Sequence, residues 1–462
     1  MTARLMLALA LVLAYAAVCA RIAWRWRQGQ ADQRARVQAV SDPRARTLVV
    51  HGSQGGTAEQ LALQTAQGLR AQGQAVRLLA LNAVTPATLT GLDQLWLVVS
   101  TYGEGDAPDG ASVFADAVMG QPDAAHVAPW PALRFGVLAL GDRQYAQFCA
   151  FGHRVHRWLG ARGAQAAFAP VEVDNGDPAA LARWQALLGL AEDDVGLAGA
   201  PFARWTLSRR EHLNPGSQGH PLHALTLLPA DGPLPTWQAG DLLQLLPEGD
   251  EAGEAGKRPR EYSIASTPAQ GSVCLLVRHA HQQDEQGQWH QGLASSQLCG
   301  LPPGSTWRAR IKPHAGFRIG PNAERPLVLI GNGSGLAGLH AHILAREGQA
   351  APWPGIWLIY GERQRAHDAA YAPTWQTWLD QGLLSRLDLS YSRDGEAVRH
   401  VQDLVRQQAD RLRDWVARDA AIYVCGSLHG MAGDVDAALR AVLGDGEVRH
   451  MLAAGRYRRD VY

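Results

Sequence analysis

Between residues 47 and 173 the apolar positions come in short blocks, and longer stretches of helical periodicity lie between them. TLVVH (47–51), AVRLLAL (75–81), LDQLWLVVS (92–100), LRFGVLAL (133–140) and FAPVEV (168–173) read as strands. Near-continuous aliphatic runs of this length mark strands buried on both faces. TAEQLALQTAQGLRAQG (57–73) spaces its apolar residues as a helix does. Five strands with helices between them predict a doubly wound parallel sheet. Ligands of such sheets lie at the carboxyl ends of the strands, near a topological switch point.

Beyond about residue 200 the texture changes. LHALTLL (222–228), DLLQLLP (241–247), EYSIAS (261–266), SVCLLVRHA (272–280) and TWRARIKP (306–313) are separated by Gly/Pro-rich turns and predict an antiparallel β-barrel. From Pro326 onward, PLVLIG, GIWLIYG (355–361), RLDLSYS (386–392) and AAIYVCG (420–426) alternate with helical stretches, as a second α/β unit would. PEGDEAGEAGKRP (247–259) reads as a loop.

The first residues differ from all of this. LMLALALVLAYAAVCARIAW (5–24) carries one charge, Arg21, near its end. Twenty helical residues span about 30 Å, the thickness of a bilayer's hydrocarbon core. Arg4 stands alone before the stretch, while Arg21, Arg25, Arg27, Arg34 and Arg36 follow it. That bias predicts one transmembrane helix in the inner membrane with the remaining chain on the cytoplasmic side. A cleaved signal peptide ending at Ala20 is the alternative. The expected organisation is an α/β multidomain chain: anchor 1–26, basic tether 27–46, parallel-sheet domain 47–195, linker 196–204, barrel 205–325 and second α/β domain 326–462.

Charge and composition narrow the function. Lys+Arg and Asp+Glu balance at 43 each in 462 residues, which argues against a nucleic-acid partner. The five cysteines are scattered, without a disulfide framework. The close histidine pairs, 153/156, 279/281 and 340/342, have no thiol or carboxylate partners at ligand spacing, so no metal site is expected.

Three loops follow strands of the first sheet. HGSQGGTAE (51–59) runs into a helix and offers converging amides to an anion, with no lysine of a Walker loop. STYGEGDAPDG (100–110) and LGDRQYAQFCAFG (140–152) each set an aromatic residue among glycines, suited to sandwiching a flat ring. Together they resemble the flavodoxin-like FMN domain of diflavin reductases. That resemblance implies FMN, with Ser53, Gln54, Gly55, Gly56, Thr57 and Ala58 at its phosphate. Tyr102 and Tyr145 would lie against its ring, among Ser100, Thr101, Gly103, Gly105, Leu140, Gly141, Asp142 and Phe148. The family usually has threonine where this chain has Gly55.

RPREYSIAS (258–266) places Arg260, Tyr262 and Ser263 on one short strand, with Arg260 and Tyr262 on one face and Ser263 on the other unless the strand bends. An arginine fork suits a pyrophosphate. This motif, with QGLASSQL (291–298), is similar to the FAD site of ferredoxin reductases. It implies Arg260 on the pyrophosphate, Tyr262 on the isoalloxazine, Ser263 near its reducible nitrogen, and Gly292, Ala294 and Ser295 giving close backbone approach. GNGSGLAG (331–338) stands where that family keeps its nicotinamide pyrophosphate loop, implicating Gly331, Gly333, Ser334 and Gly335. Ser392 and Arg393 resemble the pair that takes the 2′-phosphate of NADPH, with Arg399 nearby. Cys425, Asp460 and Ser263 correspond to the residues lining the hydride-transfer site, and Tyr462 to a flavin cover.

The whole of 47–462 thus resembles the diflavin reductases, of the sulfite reductase flavoprotein and NADPH–haemoprotein reductase type. The expected activity is NADPH to FAD to FMN to a haemoprotein or another one-electron acceptor in or near the membrane. About ten residues stand where those relatives carry a helical connecting domain. The alternative is a reductase using FAD alone, with the flavodoxin-like domain a docking module for a membrane partner.

Overall fold

The computed structural model describes residues 41–53, 56–102, 105–120, 130–143, 147–174, 176–190, 201–247, 259–279, 281–283, 289–349, 353–395 and 397–462. Its first sheet is parallel: β1 (Thr47–Gly52), β2 (Val76–Ala80), β3 (Gln94–Ser100), β4 (Arg134–Gly141), β5 (Gln165–Ala166) and β6 (Val171–Asp174). The order is β2-β1-β3-β4-β5, with β6 also paired to β4. Helices cover both faces, which is why the strand sequences are aliphatic throughout. Val50, Leu97 and Val137 pack against Phe114 of α2 (Asp109–Phe114) and Phe151 of α3 (Ala150–Ala161). Val49, Val98 and Leu138 face Leu61 and Leu69 of α1 (Thr57–Ala71) and Trp184 of α4 (Pro178–Leu187). The expected strand at 168–173 begins only at Val171. Pro170 has no N–H for a ladder, and Phe168 instead stacks on Trp96 at 6.0 Å.

The second sheet is antiparallel, in the order β10-β9-β14-β7-β8-β11. Its strands are β7 (Ala203–His212), β8 (Leu222–Pro229), β9 (Leu242–Leu246), β10 (Arg260–Ser263), β11 (Val273–Arg278) and β14 (Thr306–Lys312). A small ribbon, β12 (His281–Gln283) with β13 (Trp289–Gln291), and helix α5 (Leu293–Gly300) lie between the last two. Ile264, just past β10, bridges Leu275 of β11, so the sheet closes into the expected barrel. Strand β7 is absent from the sequence reading, which put a linker at 196–204 and the first strand at 222. Only Trp205 and Leu207 of β7 are buried. Beyond a register shift at Leu207/Arg209, the chain runs through polar residues. There Arg210 satisfies the carbonyls of Cys299 and Leu301 at 2.7 Å each, so polar side chains do the work that apolar alternation usually signals.

The third sheet is again parallel, β17-β16-β15-β18-β19. It comprises β15 (Leu327–Asn332), β16 (Ile356–Glu362), β17 (Arg386–Tyr391), β18 (Ala421–Gly426) and β19 (Tyr457–Val461), with α6 (Leu336–Glu347) following β15. The terminal strand β19 stitches the molecule together. Arg458 Nη1 donates to the carbonyls of Ala315 and Arg318 below the barrel. Arg459 reaches the first domain, where its Nε donates to Asp109 Oδ1 at 3.0 Å.

One expectation is corrected here. No helix among the described residues is long and apolar enough to cross a membrane. The stretch 5–24 on which an inner-membrane anchor was placed lies outside the described residues. The single-pass inner-membrane placement is therefore withdrawn, together with the membrane terms attached to fold and partners.

Candidate active site

The first cluster lies at the carboxyl ends of β1, β3 and β4. Gly56 adopts φ 81°, a left-handed geometry glycine tolerates, and caps α1. Its N–H donates to Ser53 Oγ at 2.7 Å, folding the loop so that the amides of Thr57 and Ala58 point outward from the helix start. A Cβ on Gly110 would sit 2.7 Å from the Ser53 carbonyl, so glycine is needed where α2 meets this loop. Gln54, Gly55, Gly103 and Tyr145 lie outside the described residues.

Ser100 Oγ donates to Gly52 O at 3.1 Å, tying β3 to β1. Thr101 takes the Phe151 N–H on its hydroxyl, fixing the start of α3. Tyr102 pairs with Asp106 in an isolated bridge that encloses Gly105. Its hydroxyl is buried without a hydrogen-bond partner, and burial pushes its pKa up. The Arg459 guanidinium lies 5.1 Å over its ring. Leu140 and Gly141 end β4 and Asp142 follows it, whereas Phe148 tucks under Arg143 at 4.4 Å and packs on the core. An amide-rich helix start beside a buried aromatic hydroxyl left unsatisfied suits a phosphorylated flat ring, so the residues present fit FMN.

The second cluster is one cavity of about 870 Å³ between the barrel and the third sheet. Arg260, Tyr262 and Ser263 line it, and so do Gly292, Ala294 and Ser295 at the start of α5. Strict alternation would turn Ser263 away from Arg260 and Tyr262. Instead the chain bends at the end of β10, and all three reach the same space. Ser295 Oγ donates to Gly292 O at 3.0 Å, which closes the first turn of α5. Gly333, Ser334, Ser392, Arg399 and Tyr462 complete the walls.

Three expected residues hold the site from behind. Gly331 and Gly335 press on the backbone of Cys425, and a Cβ on Gly335 would overlap the Cys425 carbonyl. Gly335→Ala is therefore expected to cost about 1–3 kcal/mol and to loosen the loop, read as a lower unfolding midpoint and weaker NADPH binding. Arg393 is not among the lining residues; its N–H donates to the Arg363 carbonyl at 2.8 Å. Arg399 donates to Ser392 O from Nε and Nη2, at 3.4 and 3.2 Å.

Of the three expected catalytic residues, only Ser263 lines the cavity. Its Oγ donates to Asp460 Oδ2 at 2.7 Å, and Cys425 Sγ lies 3.7 Å from that same oxygen. Cys425 is fully buried, and burial and then the Asp460 charge push its thiol well up, so it stays protonated. The C-terminal Tyr462 donates its amide to Gly426 O, and its hydroxyl meets Ser334 Oγ at 3.3 Å. It is 49 % exposed, a cap held by one end.

Sequence reasoning passed over other wall residues. Arg278 donates to Glu362 Oε1 at 2.7 Å and to the His220 carbonyl at 3.1 Å. Tyr360 donates to Gly333 O, fixing the GNGSG loop at φ 55°. Burial raises the Glu362 pKa despite the opposing Arg278 charge. Arg363 lines the cavity beside the Glu362 and Asp368 carboxylates, with its Nη1 buried and making no hydrogen bond among the described residues. The signal for Arg363 was its place at a strand's carboxyl end, in YGERQR, but nothing local separates it from Arg365. Four arginines, Arg260, Arg278, Arg363 and Arg399, line the cavity together with glycines at the start of α5 and after β15.

The fold joins a flavodoxin-like parallel sheet to an antiparallel barrel and a second parallel sheet, the layout of a flavoprotein reductase. The Flavodoxin family model matches residues 49–184. The chain is 24% identical to the sulfite reductase [NADPH] flavoprotein alpha-component of Bacillus subtilis (strain 168), over 90% of this chain and 89% of that protein. It is 28% identical to the protein of the same name from Neisseria meningitidis serogroup C / serotype 2a, over the same shares. The chain is thus similar to diflavin reductases over about nine-tenths of its length, and that likeness, with the Flavodoxin match, goes with FMN, FAD and NADPH as cofactors. The Bacillus alignment runs over 544 positions, more than the 462 residues here, so the relative carries residues this chain lacks. In the structure β9 and β10 are simply adjacent strands, with Arg260 opposite Leu245.

Proposed function

We propose that this NADPH-dependent flavoprotein reductase passes electrons through FAD and FMN to a haemoprotein or another one-electron acceptor. One observation carries the reading: a single cavity is lined both by the barrel motif Arg260–Ser263 and by the Gly333–Ser334 loop, with Ser263 bonded to Asp460 at its floor. Bound FAD supplies the conversion of two-electron donation by NADPH into single-electron steps, and FMN the onward delivery.

In this reading the chain's own residues bind and orient. Arg260 and the α5 start hold the FAD pyrophosphate. Tyr262 packs along the ring, and Gly333 and Ser334 let the NADPH pyrophosphate approach the backbone. Ser392, Arg363 and Arg399 gather around the 2′-phosphate. Tyr462 lifts from the cavity mouth when nicotinamide enters. Ser263 presents its hydroxyl oxygen toward the reacting atoms while Asp460 accepts its proton, and the protonated Cys425 keeps water from that floor.

The relatives are sulfite reductase components, so a sulfite-reducing partner is the first acceptor to test. Acid release of flavins should yield FAD and FMN in equal amounts, and anaerobic titration should draw four electrons from NADPH, with NADH a poorer donor. FAD alone with two electrons taken up would replace this reading by the single-flavin one.

A further inference from the structure

Arg459 is part of the third sheet, yet its guanidinium lies against the first domain. Its Nε donates to Asp109 Oδ1 at 3.0 Å and to Oδ2 at 3.4 Å, and Nη2 reaches the same carboxylate. The planar group sits between two rings, 5.1 Å over Tyr102 of the first domain and 5.6 Å over Tyr457 of its own strand. Nη1 lies 3.9 Å from Asp436, which also accepts the Tyr457 hydroxyl at 3.1 Å. The Arg459 side chain is 14% exposed. A guanidinium so far out of water needs its partners close by, and the nearest of them, Asp109, stands in the other domain.

Both first-domain partners belong to the loops that fit FMN. Asp109 opens α2, and the next residue, Gly110, donates its N–H to the Ser53 carbonyl of the phosphate loop at 3.2 Å. The Asp109 carbonyl takes Asn82 Nδ2 at 2.7 Å, which ties the start of α2 to the turn after β2. Tyr102 is the aromatic residue expected against the FMN ring. Beside the phosphate loop, a Cβ on Gly56 would lie 3.6 Å from Ala315 N, in ordinary contact with the barrel's loop after β14. The phosphate loop and Tyr102 thus touch the other two domains as well as their own.

We propose that Arg459 is a positioning residue for FMN, supplied from outside the FMN domain. By holding Asp109 and backing the Tyr102 ring, it fixes the wall on which the isoalloxazine rests. Through Gly110 and Ser53 it also steadies the loop that takes the phosphate. FMN affinity and the docking of the domains are then one linked equilibrium. Whatever factor docking adds to FMN affinity, bound FMN adds to docking. This inference rests on the assignment of FMN to the first domain in the function proposed above.

The test uses the full-length protein, carrying FAD and stripped of FMN. Quenching of FMN fluorescence on titration gives the dissociation constant for wild type, Arg459→Lys and Arg459→Ala, with FAD content and unfolding midpoint recorded for each. Arg459→Ala should weaken FMN binding about tenfold while FAD stays stoichiometric. Arg459→Lys keeps the charge but loses the flat fork, and should fall between the two. A second readout is hydrogen exchange of the amides of 456–461. In wild type it should slow when FMN is added, and in Arg459→Ala it should not respond. Unchanged FMN affinity in Arg459→Ala, a parallel loss of FAD, or exchange at 456–461 indifferent to FMN in wild type would overturn the proposal. If wild type itself binds no FMN, the two-flavin reading fails, and this inference with it.

Discussion

Asp460→Asn slows reduction of the flavins by NADPH by about 10²–10³, the loss typical of removing one fixed electrostatic partner from a reacting centre. The amide keeps the size of the carboxylate and can still accept the Ser263 hydroxyl proton at the 2.7 Å now observed. What it lacks is the charge that orients Ser263 and faces the Cys425 thiol 3.7 Å away. NADPH affinity changes little, because Asp460 does not line the cavity. Single-turnover stopped-flow at saturating NADPH isolates the step, and an unchanged rate would remove Asp460 from the machinery. Ser263→Ala should bring a similar loss and, combined with Asp460→Asn, add almost nothing, since the two act as one unit.

The second large effect lies at the junction of the lobes. Arg459 and Asp109 are separated by 350 residues in sequence, yet they form an ion pair whose side chains are 14% and 19% exposed. The same guanidinium covers the ring of Tyr102, and Gly56 of the phosphate loop lies close to Ala315. An aligning role for this contact predicts a large effect of breaking it. Asp109→Arg sets two cations face to face, and breaking a largely buried pair costs about 3–5 kcal/mol. Transfer from the NADPH side to the FMN side should fall at least tenfold, while reduction of the first flavin by NADPH is retained. The reciprocal double variant, Asp109→Arg with Arg459→Asp, should recover much of the loss. Small-angle scattering would show the single variant extended and the double compact; an unaltered transfer rate in Asp109→Arg would refute the alignment role.

Much of this protein was legible before folding. The aliphatic runs of β1, β3, β4, β15, β16 and β18 announce themselves because a strand covered on both faces must be apolar at every position. The glycine at 56 and those at 333 and 335 were legible too, since a left-handed turn or a backbone contact leaves little choice of residue. Strand β7 was not, because its outer half is held by Arg210 and by neighbouring strands, with no alternation to read. The membrane reading failed for a different reason. Hydropathy over 5–24 sets what a segment could do, and the described structure offers no spanning helix to support it.

By itself, then, the sequence determined the local parts: which runs are strands, where loops open to ligands, and which short motifs carry arginine, serine and glycine at usable spacing. These follow from side-chain size, polarity and backbone freedom acting over a few residues. Only the tertiary structure decided the pairings. It brought Ser263, Cys425 and Asp460 together across 197 residues and set Arg459 on Asp109. Forty-three cationic and forty-three anionic side chains allow far more partnerships than a chain can reveal. Burial selects among them, because a charge removed from water needs its partner close by.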